Sequence, residues 1–222
     1  MMDFATARLK MVESQLRTED VTDYAILDAM GAVQRERFVP ERMRALSYVD
    51  EDLPLKSDRG PLQRYLMRPA AFARLLQLAD LGEGARVLVV GCATGYSVAV
   101  IARLAATVIG LESDTSLATA ASRALADFRV ANASIVTGPL PDGYRTKAPY
   151  DVILVEGAVE TVPDVLLEQL AEGGRLAAVV GRGAAASAVL YTRTEREFGQ
   201  RPSYTAGVAP LPGFEKPKAF VF

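Results

Sequence analysis

The chain has 222 residues, half of them apolar and 23% charged, with a net charge of −2. That balance fits one globular unit with a sizeable core and argues against general binding to a nucleic-acid backbone. No histidine and a single cysteine are present, which excludes Ser-His-Asp and Cys-His catalysis, a His- or Cys-built metal centre and an internal disulfide.

The N-terminus, Met1 to Arg8, has no basic stretch followed by an apolar core, and no apolar run reaches the ~18 residues of a membrane span. A soluble, cytoplasmic protein without a membrane partner is expected. Residues 4–17 place Phe4, Ala7, Leu9, Met11, Val12 and Leu16 among charged residues at helical spacing. A second helix is expected from about Asp20 to Gln34, and a short one from Pro40 through Leu46. Residues 48–63 are polar and hold Pro54 and Pro61, the composition of a functional loop. Pro69 opens a helix to Ala79. Strands are then expected near 86–90, 107–111, 133–136, 151–155 and 175–180, with helices near 95–106, 115–128 and 163–171. Alternation at this spacing predicts right-handed βαβ crossovers and a parallel sheet. Residues 187–193 and 204–208 read as two consecutive strands, hence an antiparallel edge, and the tail from Pro210 to Phe222 as a docked surface segment. The division is an N-terminal helical segment and loop, 1–80, packed on a domain at 81–222, together one structural unit.

The stretch Arg86-Val87-Leu88-Val89-Val90-Gly91-Cys92-Ala93-Thr94-Gly95-Tyr96-Ser97 carries the chemical signal. A continuous apolar run suits a strand buried on both faces, and glycines in the following turn let a ligand approach the backbone. An ordinary βα turn would need only one glycine. Glu112 falls at the end of the next strand, about 20 positions on, where a carboxylate can accept hydrogen bonds from ribose hydroxyls. A nucleotide-type cofactor is the expectation. A nicotinamide is disfavoured because the turn lacks the full G-x-G-x-x-G pattern.

Set side by side, the glycine turn, Glu112 and the antiparallel end resemble a class I S-adenosylmethionine-dependent methyltransferase, an α/β Rossmann-like fold. More closely, the chain resembles the protein-L-isoaspartate O-methyltransferase family. The resemblance is carried by Met11 to Arg17, Arg35 to Pro40 with Tyr48 to Pro54, Val87 to Tyr96, Pro149 to Val155, and Leu167 to Gly181. It implies S-adenosylmethionine as cofactor, held by Gly91, Cys92, Ala93, Gly95, Tyr96, Glu112, Ser113, Pro139, Leu140 and Glu156. It implies an isoaspartyl protein or peptide as acceptor, met by Tyr65, Leu66, Met67 and Arg68 within an acceptor-side segment at 55–68. It leaves the catalytic residue unassigned and implies no metal.

The chain departs from the family pattern at several of these positions. Val89 stands where an acidic residue is usual, Ala93 where a glycine is, and Pro139 where an acidic adenine contact is. Met67 replaces the serine of Thr-Ile-Ser-x-Pro, removing a hydrogen-bond donor to the acceptor carboxylate. Glu156 brings a carboxylate where a neutral hydroxyl is expected; it is either a base or polar contact, or a residue facing solvent or in a structural ion pair. A different carboxylate, hydroxyl or small-molecule acceptor, or a degenerate cofactor-binding protein, are the alternatives these departures leave open.

Overall fold

The structure is a computed structural model and describes residues 3–55, 64–195 and 197–215. Seven strands form one sheet: β3 (Arg86–Val90), β4 (Thr107–Glu112), β5 (Ala133–Thr137), β6 (Tyr150–Val159), β7 (Leu170–Val180), β8 (Ser187–Arg193) and β9 (Phe198–Thr205), in the order β5-β4-β3-β6-β7-β8-β9. The first five pair in parallel; β8 and β9 pair antiparallel at the edge. The strand order reverses between β3 and β6, so a crevice opens there at the strands' C-terminal ends.

The continuous apolar run of β3 is explained by its burial on both faces. Val87 and Val89 belong to one core and Leu88 and Val90 to the other. The first core is closed by α1 (Phe4–Met11), α2 (Tyr24–Ala32), α3 (Pro69–Ala79), α4 (Tyr96–Ile101) and α5 (Thr115–Asp127). The second is closed by the short α6 (Asp164–Leu167) together with Leu140, Leu211 and Phe214.

Several expected boundaries move, each for a local reason. The second helix starts at Tyr24 rather than Asp20, because Asp20 takes a left-handed conformation and Asp23 caps the helix, accepting from the N–H of Ala25 (2.8 Å) and Ile26 (3.2 Å). The helix expected over 163–171 is only Asp164–Leu167, since the chain joins β7 at Leu170 opposite Tyr150. The last strand runs over Phe198–Thr205, not 204–208; it is an exposed edge strand that carries Pro202 and has no apolar alternation to announce it. In the loop expected over 48–63, Leu53–Leu55 form β1 and pair antiparallel with β2 (Arg64–Leu66). Residues 56–63 of the expected acceptor segment, and the tail beyond Glu215, lie outside the described residues. Among the described residues, no helix is long and apolar enough to cross a membrane.

Candidate functional site: the turn after the first parallel strand

The turn after β3 is built by backbone geometry. The N–H groups of Gly91 and Cys92 both donate to the Leu111 carbonyl (2.8 and 3.1 Å), and Gly95 N–H donates to the Cys92 carbonyl (2.8 Å). Gly91 (φ 83°), Ala93 (φ 49°) and Gly95 (φ 88°) all sit in the left-handed region, which a glycine enters without cost and an alanine does not. The two glycines serve different ends. A Cβ on Gly95 would lie 3.0 Å from the Cβ of Ala121, so this glycine lets α5 close on the turn. A Cβ on Gly91 would lie 2.7 Å from Leu211 Cδ1 and 3.3 Å from Arg64 Nη2, on the crevice side.

Glu112 is fully buried at the end of β4. Its Oε2 accepts from Ala93 N–H (2.8 Å) and from Arg64 Nη2 (2.8 Å); its Oε1 accepts from the N–H groups of Ser113 (2.8 Å) and Asp114 (3.0 Å). Arg64 Nη2 also donates to the Gly91 carbonyl (3.0 Å). Ala93 and Ser113 are thus gathered around the Glu112 carboxylate, with Gly91 joined to it through Arg64. Arg64, on β2, is the partner that sequence reasoning missed. Nothing in Gln63-Arg64-Tyr65 distinguishes a buried arginine from a surface one.

Beside this cluster, Glu156 near the end of β6 is buried, and its Oε1 has no hydrogen-bond partner among the described residues. Burial pushes its carboxyl up to about 8, against the pull of Ser97, Arg64 and Arg35. It therefore does not face solvent, as one of the expectations had it. Met67, Tyr65, Arg64, Glu156 and Leu211 line a narrow space of only about 10 Å³, room for one water.

The Tyr96 ring lies fully buried under the N-terminal layer, with the Arg35 guanidinium 4.7 Å above it and Phe38 and Phe72 packed edge-on. Cys92 points at Gly110, where a Cβ would come within 3.0 Å of its sulfur, and burial raises its thiol well above the ordinary value. Leu66 is part of the first core, and Leu140 of the second, while Pro139 is exposed. Arg68 offers its backbone N–H to Asp52 (2.8 Å), and Asp52 also accepts from Ala209 N–H (2.6 Å). Among the described residues, no cluster of three His, Cys, Asp or Glu is placed to hold a metal.

The family model for protein-L-isoaspartate(D-aspartate) O-methyltransferase matches residues 7–210. The chain belongs to the protein-L-isoaspartate O-methyltransferase family. A relative of that name from Koribacter versatilis is 39% identical over 178 residues, covering 80% of this chain and 78% of the relative. Another, protein-L-isoaspartate O-methyltransferase 2 from Anaeromyxobacter sp., is 38% identical over 208 residues, covering 93% and 83%. A solved protein-L-isoaspartate O-methyltransferase superposes with a TM-score of 0.79 at 26% identity, over 93% of this chain and 66% of that longer one. The Plasmodium falciparum structure solved with S-adenosyl-L-homocysteine shares the fold, with a TM-score of 0.75 at 19% identity over 95% and 99% of the two chains. This is a family of S-adenosylmethionine-dependent O-methyltransferases. A buried carboxylate at the end of β4 faces a glycine turn here, a pairing whose chemistry fits a nucleoside-bearing cofactor. The carboxylate is satisfied internally, by Arg64 and by the N–H groups of Ala93, Ser113 and Asp114.

Proposed function

We propose that this member of the family transfers a methyl group from S-adenosylmethionine to isoaspartyl carboxylates of proteins or peptides, as a cytoplasmic enzyme. The observation that carries the reading is Glu112, a buried carboxylate facing the Gly91–Gly95 turn across the switch point, on a chain 34–40% identical to relatives of that activity. When bound, the cofactor supplies a methyl on a sulfonium, an activated leaving group. The acceptor carboxylate is already a nucleophile, so no residue has to remove its proton. That agrees with a chain without histidine. Glu112 would hold the ribose, Gly91 and Ala93 would pass close to the cofactor's amino-acid end, and residues 1–80 would supply the acceptor side through Tyr65 and Met67.

A second reading, a different acceptor, is favoured by one observation: Met67 replaces a hydroxyl with a thioether beside Glu156, which burial holds largely neutral below pH 8. Calorimetric titration with S-adenosylmethionine and with NAD is the first test; binding of NAD alone would sink both readings. Met67→Ser is the second. It is expected to raise isoaspartyl activity if the acceptor is the family's, and to leave it unchanged if the pocket serves another substrate.

A further inference from the structure

The crevice between the ends of β3 and β6 is where an open α/β sheet takes its ligand, and here the chain fills it with two of its own side chains. Arg64 spends one N–H on Glu112 Oε2 and another on the Gly91 carbonyl. It thus takes the acceptor position that a ribose hydroxyl would use. Leu211 occupies two glycine cradles at once: a Cβ on Gly91 would lie 2.7 Å from its Cδ1, and one on Gly157 would lie 2.8 Å from its Cβ. Gly91 follows β3 and Gly157 lies in β6, so Leu211 bridges the switch point from above.

We propose that this chain holds its own donor site shut, with Arg64 and Leu211 as an internal occupant that S-adenosylmethionine must displace. The inference rests on the cofactor reading above and adds the regulation of that same site. The tail that carries Leu211 is held by a small set of hydrogen bonds. Residues 209–211 lie along the end of β6, with Ala158 N–H donating to the Ala209 carbonyl (2.9 Å) and Leu211 N–H to the Ala158 carbonyl (2.8 Å). Ala209 N–H is fixed by Asp52 (2.6 Å), whose other oxygen takes Arg68 N–H at the end of β2. Asp52 therefore ties the tail to Arg68, just beyond the strand that carries Arg64.

Leu211 is also a partition. On one side lies the 10 Å³ space with Glu156 and Met67; on the other lies a cavity of about 360 Å³ lined by Ala158, Arg182, Phe214 and their neighbours. Withdrawal of Leu211 would join the two into one cleft running from Glu112's neighbourhood across the end of β6. The unpartnered groups already present in that cleft, Glu156 Oε1 and the Nε and Nη1 of Arg64 among the described residues, are the kind that wait for a polar ligand.

The test is calorimetric titration of the full chain and two variants, Leu211→Ala and Arg64→Met, with S-adenosyl-L-homocysteine. Leu211→Ala leaves every charge in place, and so remains informative if Arg64→Met, which strands Glu112, fails to fold; circular dichroism and a cooperative thermal transition establish folding. Leu211→Ala is expected to bind at least about tenfold more tightly than the unaltered chain, since removing an internal competitor removes its share of the closed population. In the unaltered chain, ligand should also speed hydrogen exchange at the Ala209 and Leu211 amides. Equal, measurable affinity for all three proteins would overturn the latch and leave the cofactor reading standing. No binding by any of them would overturn both.

Discussion

At the scale of single residues, Glu112 and Arg64 form the pair on which the site turns. Both are buried, 0% and 3% exposed at the side chain, and a buried ion pair is costly to break by removing one partner. Glu112→Ala would leave Arg64 uncompensated and release the N–H groups of Ala93, Ser113 and Asp114. We expect a loss of about 3–5 kcal/mol in denaturant unfolding; a loss below about 1 kcal/mol would mean that the pair is solvated. Gly95 makes a second residue-scale prediction. A methyl there meets Ala121 at 3.0 Å in a backbone at φ 88°, so Gly95→Ala should cost about 2 kcal/mol or more through strain and contact together. The glycine turn was legible in the sequence, but its division of labour was not: motif spacing marks where glycines stand and cannot tell which one faces a ligand and which one a helix. Arg64 and Leu211 were illegible for the same reason, since their role comes from chain segments that meet only in the fold.

At the scale of elements, legibility follows the strength of the local pattern. The parallel strands were found where continuous apolar runs announced them, and the N-terminal cap of α2 moved the boundary to where Asp23 could accept two N–H groups. The exposed edge strand β9 escaped, because an unburied strand has no hydrophobic alternation to read. The polar segment around Asp50 and Asp52 has the composition of a loop, yet in the fold its acids anchor structure. The N-terminus of α3 has no side-chain cap from its own flank; Asp50 instead accepts from Ala70 N–H (2.9 Å) across 20 residues. Asp50→Ala should therefore lower stability by about 1 kcal/mol, the ordinary worth of a helix cap, measured as a shift in the denaturant midpoint without a change in slope. No shift would show that Asp50 gives this helix no net support.

At the scale of the whole molecule, Glu156 couples the site to pH. Its folded-state pKa of about 8 lies above the ordinary value of 4.5, so the folded protein holds a proton that the unfolded chain gives up. Below about pH 4.5 both states are protonated and there is no penalty. Between about 4.5 and 8 stability falls as pH rises, and above 8 the penalty is constant. Glu156→Gln should flatten this slope and raise stability at pH 8 by up to a few kcal/mol, read from unfolding midpoints across that range. A slope unchanged by the substitution would show that Glu156 is ionised in the folded protein.

Methyl transfer itself is the most direct readout of this site. Incubating the full chain with methyl-labelled S-adenosylmethionine and an isoaspartyl peptide should place label on the peptide as a base-labile ester, with none on its aspartyl isomer and more with Leu211→Ala than with the unaltered chain. Label that survives base, or no label with the cofactor bound, would contradict the proposed function.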